Sequence, residues 1–372
     1  MTMDNFVVEN LGPIAKADVT FGDFTILTGP QASGKTLFLE SFTLQRNMKF
    51  IAYDFVKSNN IGRIDDFLDY YYGENMHNII NDNTIFAFNN QNTTKKQLFT
   101  EIEYCIQSCI SEPFPFKFDT ILPNVFYIPA HRSLAVSEGR IKISDDFINS
   151  PYSLVKFSQI LQDYVKKNQT EILKDKIKNY DFFNAVQINM RRNAGSPRLE
   201  MTIDEQTVPY MAWSTGQREL APLLMSVDYL EKYTQKTYAI IEEPELGLHP
   251  RAIIEFMFTV LKLMKSGVKV IISTHSSTPL DFVWAINHLK EKQADISNIA
   301  DMFDFKIKDK SVFDNLAEKE IKVYYFSPDK KTRKVFSKDI SSLDVYSEDE
   351  DISNWGGMSL SADRAGSIVS KF

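Results

Sequence analysis

The stretch Gly29-Pro30-Gln31-Ala32-Ser33-Gly34-Lys35-Thr36 fits the phosphate-loop pattern, in which four residues separate two glycines and a lysine and a hydroxyl residue follow. Glycine lets the backbone curl so that successive N–H groups point inward at phosphate oxygens. Lys35 would then bridge the outer phosphates, and the Thr36 hydroxyl would ligate Mg²⁺. The stretch therefore predicts a site for a triphosphate.

The residues on either side of this loop supply the context that such a site needs. Upstream, the β-branched run Phe24–Thr28 predicts a strand, and downstream residues 36–56 have the apolar spacing of a helix. Strand, loop and helix follow in the required order. The phosphates would therefore lie at a helix N-terminus, where free N–H groups favour anions.

Composition indicates a globular protein with a sizeable core. The chain has 372 residues, of which 43% are hydrophobic, and its net charge of −7 gives no global attraction to nucleic acid or to an anionic membrane. The only two cysteines, Cys105 and Cys109, have helical spacing and are interpreted as buried apolar residues. The sequence shows no secretion signal and no long apolar run, so we expect a cytoplasmic protein with no membrane contact.

The first half of the chain contains one more candidate for the site. Residues 6–8, 17–21 and 24–28 predict a small antiparallel element, and residues 124–128 predict a strand that ends at Pro129-Ala130-His131-Arg132. In open α/β sheets the carboxyl ends of the strands are where ligands bind. Arg132 or His131 could sense a terminal phosphate, or the two could be a solvated loop pair.

Two basic features leave nucleic acid open as a partner. A lysine-rich helical face contains Lys166, Lys167, Lys174, Lys176 and Lys178, and residues 191–197 form a predicted basic hairpin tip. Such lysines usually form a solvated face, and the tip is equally compatible with an ordinary polar turn. A contact with a phosphate backbone is the alternative for both.

The second half of the chain contains three further polar segments next to predicted regular elements. Ser214 and its neighbours form a small-residue turn before a helical run, which suits either a helix cap or a second anion cradle. The buried-strand run 238–241 ends in Glu242 and Glu243, which are costly there unless they face a cation or a water. A third core strand, 268–274, places His275 at the same sheet edge.

Taken together, four motifs resemble those of ABC-type ATPases. They are the phosphate loop, Ser-Thr-Gly-Gln at 214–217, Ile-Ile-Glu-Glu-Pro-Glu-Leu-Gly-Leu-His-Pro at 240–250 and Ser-Thr-His at 273–275. The likeness is to the soluble branch that includes SMC, RecF and OLD-family proteins and stand-alone AAA-annotated relatives. It implies two subunits that sandwich two ATP molecules, each phosphate loop facing the partner's signature turn at 214–217.

The resemblance also implies a role for each matching residue. Glu243 would be the catalytic base, with His275 as the switch histidine and Lys35 as a further catalytic group, and Thr36 and Glu242 would hold Mg²⁺. The residues expected to bind ATP are Gly29, Pro30, Gln31, Ala32, Ser33, Gly34, Lys35, Thr36 and Leu37 in one subunit, and Ser214, Gly216 and Gln217 in the other. This chain departs from the family pattern at Trp213, Thr215, Glu242 and His249.

The predicted fold is α/β, a P-loop NTPase of ABC type with a mostly parallel core sheet, an N-terminal antiparallel β element and an inserted helical lobe. We expect the ATPase core to comprise residues 1–56, 120–132 and 183–372, and the lobe to comprise 57–119 and 133–182. By resemblance, ATP-dependent dimerisation, or assembly of a higher homo-oligomer, would control a separately encoded effector, a nuclease or toxin in phage defence or DNA repair.

Two other functions compete with this one. A nucleotide-gated scaffold would bind ATP to dimerise and hydrolyse little. A transporter's nucleotide-binding subunit would share the motifs, but the long stretch between Thr36 and Ser214 disfavours it, because transporter subunits are more compact there. A chromosome-cohesion ATPase needs a long coiled coil. The sequence has no sustained heptad repeat between the motifs, so this function is also disfavoured.

Overall fold

The phosphate-loop strand lies inside a large sheet, and the rest of the fold is arranged around it. The structure is a computed structural model, whose described residues are 3–58, 63–111, 123–147, 150–168, 173, 186–191, 197–203, 205–233, 238–305, 307 and 309–358. The strands are β1 Asn5–Leu11, β2 Ile14–Thr20, β3 Phe24–Thr28, β4 Ile80–Phe88, β5 Gln91–Thr94, β6 Val125–Ile128, β7 Val136–Ser137, β8 Arg140–Ile141, β9 Val186–Arg191, β10 Arg198–Ile203, β11 Gln206–Pro209, β12 Tyr238–Glu242, β13 Lys269–Thr274, β14 Ile321–Pro328 and β15 Val335–Asp339. The α-helices are α1 Lys35–Lys57, α2 Ile64–Tyr72, α3 Lys95–Ser111, α4 Tyr152–Lys167, α5 Thr215–Tyr233, α6 Pro250–Lys265, α7 Thr278–Glu291, α8 Asn298–Met302 and α9 Glu350–Ser353.

The large sheet has a parallel core and an antiparallel flank. Its spatial order over the described residues is β5-β4-β1-β2-β15-β14-β3-β13-β12-β6, and β14, β3, β13, β12 and β6 run parallel to one another. On the flank, β2 pairs with β1, and β1 with β4, in antiparallel register. This topology confirms the predicted α/β class with a parallel core and an N-terminal antiparallel element.

Apolar side chains cover both faces of the parallel core. Successive residues of a strand point to opposite faces, and the buried residues divide accordingly into two clusters. Ile241 and Ile272 belong to the cluster that includes residues of α4 to α7, whereas Ile240 and Ile271 belong to the cluster that includes residues of α1 to α3. The strands of the core are therefore mostly apolar up to their carboxyl ends, where further polar residues follow.

Part of the predicted helical lobe is sheet. Within 57–119, β4 and β5 extend the large sheet beyond β1, and α3 packs against α1. The sequence did not predict these two strands, because their Asn-rich sequence has the composition of turns, while β4 is ordered by pairing with the distant β1 and β5 by pairing with β4. The domain boundaries themselves stay a prediction.

The predicted hairpin near residue 191 is present, with β9 and β10 antiparallel and Arg191 opposite Arg198. β11 pairs with β10 to complete a small three-stranded sheet. The tip residues 192–196 lie outside the described residues, as do Lys174, Lys176 and Lys178. Of the two cysteines on α3, Cys105 is buried and Cys109 is partly buried.

The segment after β15 is held to the core by specific contacts. The acidic stretch at residues 347–351 pairs with a cation, since the Lys338 ammonium lies 2.6 Å from Asp349 and 2.8 Å from Asp351. The buried Trp355 donates its indole N–H to the Leu343 carbonyl at 3.0 Å. Gly356 follows with φ +66, and an added Cβ there would lie 2.4 Å from the Tyr325 ring. These contacts give Trp355 and Gly356 a packing role against β14.

Among the residues that the structure describes, no helix is both long enough and apolar enough to cross a lipid bilayer.

Candidate active site

Three neighbouring parallel strands end together at one edge of the sheet. Thr28 at the end of β3 lies opposite Thr274 at the end of β13, and Ser273 lies opposite Glu242 at the end of β12. The chain leaves these strands into the phosphate loop, His275 and Glu243. Segments separated by more than 200 positions in the sequence therefore converge because parallel strands present their carboxyl ends at the same edge.

Both glycines of the phosphate loop have a positive φ and leave no room for a side chain. Gly29 has φ +145, and a Cβ there would lie 2.7 Å from the Phe326 carbonyl oxygen on β14. Gly34 has φ +84 at the start of α1, and a Cβ there would lie 2.8 Å from the Ile14 side chain. Because Gly34 offers no side chain to cap the helix, the first N–H groups of α1 are left to an external acceptor.

The Lys35 side chain folds back into its own loop. Its ammonium donates to the carbonyls of Gly29 at 2.9 Å and Pro30 at 3.0 Å, and to the Ser33 hydroxyl at 3.3 Å. Burial lowers the pKa of Lys35 to about 8, although the nearby Glu243 carboxylate acts in the opposite direction. A bound phosphate would supply the negative charge that this buried ammonium lacks.

Thr36 and Glu242 form the candidate metal site. The Thr36 hydroxyl donates to the Glu242 carboxylate at 2.5 Å. Burial raises the pKa of Glu242, and the Thr36 hydroxyl and the Ala130 N–H oppose that rise by hydrogen bonding to the carboxylate. A hydroxyl and a carboxylate are the hard oxygen donors that Mg²⁺ prefers in combination with phosphate oxygens. The donor set therefore fits the predicted ion.

Glu243 is held in a conformation that costs energy. Its φ is +41, in the left-handed region that non-glycine residues rarely adopt, and its N–H donates to the Ser273 carbonyl at 2.9 Å. The side chain is 34% exposed, which leaves it accessible to water, and its carboxylate lies 3.5 Å from Nε2 of His275. Burial and the Lys35 charge lower the pKa of His275, so the imidazole is neutral at pH 7.

Glu245 was not singled out from the sequence, yet it connects two of the site's segments. Its carboxylate accepts from the Thr274 hydroxyl at 2.8 Å and from the His275 N–H at 2.7 Å. Glu245 thus fixes the backbone at His275 to the loop that follows Glu243. The sequence did contain a signal for this residue. Glu245 is the third carboxylate of the run Glu-Glu-Pro-Glu, which begins at the end of the strand that leads to the site.

The signature turn is an ordered helix start. The Ser214 hydroxyl accepts from the Gln217 N–H at 3.3 Å, and the Gln217 side chain accepts from the Ser214 N–H at 2.8 Å, which is a reciprocal cap. Trp213, where the family pattern has leucine, is buried and donates its indole N–H to the Val208 carbonyl at 3.2 Å. The helix-cap interpretation of Ser214 is thereby confirmed, and its role toward a nucleotide stays a proposal.

Within one subunit the signature turn lies against the loop after Glu243. Gly216 is so close to this loop that a Cβ on it would lie 2.6 Å from the Gly247 carbonyl oxygen. No hydrogen bond among the described residues joins Ser214, Gly216 or Gln217 to the phosphate loop of the same chain.

We expect Gly216→Ala to weaken ATP-dependent dimerisation and hydrolysis by about tenfold, while ATP binding to the monomer stays unchanged. The new methyl group would force apart the turn and the Gly247 loop, because 2.6 Å is well below van der Waals contact. Sedimentation velocity and phosphate release would measure the loss. Gly267→Ala is the control for general destabilisation: its φ of +85 strains any side chain, but nothing lies within 4 Å of a Cβ there, so it should lower the melting temperature and leave dimerisation unchanged. Equal dimerisation by wild type and Gly216→Ala would contradict the prediction.

Arg132 fits neither of its two sequence interpretations. Its side chain is fully buried, and its guanidinium donates to the carbonyls of Glu242 at 2.7 Å and Glu243 at 3.1 Å. It is thus neither a solvated loop residue nor free to reach a phosphate. His131 is exposed, with φ +48. The sequence could not show this, because the partners of Arg132 are about 110 positions away.

Comparisons with known proteins agree with the motifs. Residues 87–278, just over half of the chain, match the family model described as the AAA ATPase domain. The matched range begins after the phosphate loop and includes Arg132, the signature turn, Glu243 and His275. The match agrees with the stand-alone AAA-annotated relatives among the proteins that the motifs resemble. No curated protein sequence matches the chain.

Among solved structures, the chain is similar to an SMC head bound to the C-terminal winged-helix domain of ScpA, with 12% identity, a TM-score of 0.45 and coverage of 91% of this chain and 98% of the other. It is also similar to the SMC head domain from Thermotoga maritima, with 10% identity, a TM-score of 0.41 and coverage of 91% and 99%.

Proposed function

Since the chain belongs to the AAA ATPase domain family, we propose that it binds and hydrolyses ATP with Mg²⁺, that two copies close around the nucleotide, and that this closure controls a separately encoded effector. The observation that carries the proposal is the convergence at one sheet edge. There the Thr36 hydroxyl meets the Glu242 carboxylate, and His275 lies beside Glu243.

Different residues bind the phosphates, hold the metal ion and activate the water. Lys35 and the open start of α1 bind the phosphates, and Mg²⁺ held by Thr36 and Glu242 would neutralise part of their charge. Glu243 is accessible to water and would polarise the attacking molecule as a general base. A neutral His275 can donate a hydrogen bond to the terminal phosphate without adding charge to the site.

The proposed dimer follows from the position of the signature turn. Ser214 is exposed at the start of α5, where backbone N–H groups favour an anion, and the turn has no hydrogen bond to the phosphate loop of its own chain. A partner's γ-phosphate would satisfy this helix start. Binding of ATP and association of the subunits must then favour each other by the same free energy.

The effector is proposed from resemblance. Stand-alone members of this branch work with separately encoded nucleases or toxins in phage defence or DNA repair, and we propose the same arrangement and a cytoplasmic setting here. ATP-driven closure of two subunits would provide the signal, since it changes the relative position of every surface carried by the two chains.

Mixing two inactive variants tests the shared site directly. Lys35→Ala removes the phosphate-binding ammonium, and Ser214→Arg places a bulky side chain on the exposed turn, so we expect each protein alone to be inactive. In a mixed dimer, the intact phosphate loop of the Ser214→Arg subunit faces the intact turn of the Lys35→Ala subunit. Random mixing of equal amounts should therefore raise phosphate release above that of either variant alone, with about a quarter of the wild-type rate as the upper limit, because half of the dimers are mixed and each has one intact site.

Two results would count against the shared site. One is a mixture that stays as inactive as its components while both variants keep the wild-type melting temperature. The other is a Ser214→Arg protein that hydrolyses ATP normally by itself. The control is a mixture of Lys35→Ala with Lys35→Ala/Ser214→Arg, which contains no intact phosphate loop and should show no activity.

A further inference from the structure

Arg132 occupies an unusual place for a charged side chain. It follows β6 in a 3₁₀ turn at residues 132–135, and its guanidinium is fully buried. On one side it donates to the backbone carbonyls of Glu242, the last residue of β12, and of Glu243, which follows it. A buried guanidinium needs acceptors for its five N–H groups, and these two carbonyls, with the Pro129 carbonyl at 3.3 Å, supply part of them.

The other side of the same guanidinium faces the signature helix. Nε of Arg132 donates to the Glu219 carbonyl at 3.3 Å and lies 3.7 Å from the Glu219 carboxylate. That carboxylate is also buried and accepts from the hydroxyl and the N–H of Ser133. Glu219 lies near the start of α5, five residues after Ser214. One side chain thus joins the helix that would touch the partner's nucleotide to the loop that carries the catalytic base.

The loop that Arg132 holds is one that would otherwise relax. Glu243 has φ +41 and precedes Pro244, and a residue before proline is driven toward extended backbone. The Arg132 bond to the Glu243 carbonyl and the Ser273 bond to its N–H hold this conformation from both ends. A shift of α5 that moved Glu219 would therefore change the backbone conformation of Glu243.

We propose that Arg132 is a positioning residue that couples the two ATP sites of the dimer. When the signature helix closes on the partner's nucleotide, it fixes the position of Glu219. Glu219 in turn positions the Arg132 guanidinium, and Arg132 holds the Glu243 backbone of its own subunit in the conformation needed for hydrolysis. Each site then becomes fully active only when the other is occupied. The inference rests on the proposed function, because it requires a dimer with ATP at two shared sites.

Arginine is required at this position for a geometric reason. Its planar fork can donate to several carbonyls and face a carboxylate at once, whereas a lysine ammonium is a single point charge. Arg132→Lys keeps the charge but cannot span both loops. Glu219→Gln keeps the size of the side chain but removes the charge that faces Arg132. Neither change touches the phosphate loop.

The test measures ATP affinity, hydrolysis rate and cooperativity separately. For the wild type we expect a Hill coefficient near 2 for phosphate release against ATP concentration. In Arg132→Lys and Glu219→Gln we expect a Hill coefficient near 1 and a kcat lowered by about tenfold or more, with the ATP dissociation constant within about threefold of wild type. ATP-dependent dimerisation in the Glu243→Gln background should persist in both.

The exposed pair Arg140–Asp146, with N to O 2.8 Å, provides the matched control. Arg140→Lys and Asp146→Asn make the same chemical changes away from the site and should leave all three quantities unchanged. A melting temperature for each protein separates loss of fold from loss of coupling. If Arg132→Lys fails to fold, the Glu219→Gln protein alone tests the coupling role.

Three outcomes would overturn the coupling role. They are a wild-type Hill coefficient of 1, a variant with unchanged cooperativity despite a lower kcat, and a variant with unchanged kcat. Failure of the proposed function looks different, because the wild type would then release no phosphate or the Glu243→Gln protein would not dimerise with ATP.

Discussion

Lys35→Ala is expected to raise the ATP dissociation constant by at least about 100-fold, which is roughly 3 kcal/mol of binding free energy. The Lys35 ammonium is buried and donates to the carbonyls of Gly29 and Pro30. Its charge is only partly balanced there, as the pKa of about 8 indicates, so phosphate oxygens should be strongly preferred acceptors. Titration with a fluorescent ATP analogue would measure the change.

Lys57→Ala is the control for this substitution. Lys57 is the last residue of the same helix, is exposed and lies over the Tyr53 ring rather than near the phosphate loop. ATP affinity should be unchanged in this variant. Binding by Lys35→Ala within about fivefold of wild type would show that the loop does not hold phosphates in the way described.

Glu243→Gln is expected to lower kcat by about 1,000-fold and to trap a closed dimer with ATP, since loss of a general base typically costs between 10² and 10⁴ in rate. Glutamine has the same shape and can still accept a hydrogen bond from water, but it cannot take a proton. ATP binding should survive because Lys35 and Thr36 are untouched. Phosphate release gives the rate, and sedimentation velocity with and without ATP gives the dimer.

Glu291→Gln, at the exposed end of α7, is the control and should leave both measurements at wild-type values. A Glu243→Gln protein that shows no ATP-dependent change in sedimentation would contradict closure. A wild type that dimerises with ATP but releases phosphate no faster than Glu243→Gln would instead be a nucleotide-gated scaffold. The same pair of measurements therefore separates the two functions.

The strongest sequence signals were those that combine composition with order along the chain. The loop at 29–36 lies between a buried strand and a helix with apolar spacing, and Glu242, Glu243 and His275 follow strands with a central apolar run. Such runs predict buried parallel strands, and buried parallel strands place their ends together. The location of these residues at one edge could be predicted for this reason.

Other features depended on contacts that no local pattern encodes. Arg132 has the sequence context of a loop residue, and most of the acceptors that allow its burial lie 87 to 111 positions further along the chain. β4 contains four polar residues among its first five and is ordered by pairing with β1. In both cases the local composition favours solvent, and the tertiary partner decides the outcome.

The order of strands in the large sheet has a consequence for synthesis of the chain. β14 and β15 come from residues 321–339, yet they lie between β3 and β2 and fill the gap between the phosphate-loop strand and the N-terminal antiparallel strands. Until the ribosome has released this late hairpin, β3 is left with an unpaired edge and Gly29 lacks the Phe326 backbone that confines it. The nucleotide site is thus completed only after residues 321–339 have been synthesised, and a nascent chain that stops before residue 321 would expose β3 to wrong partners.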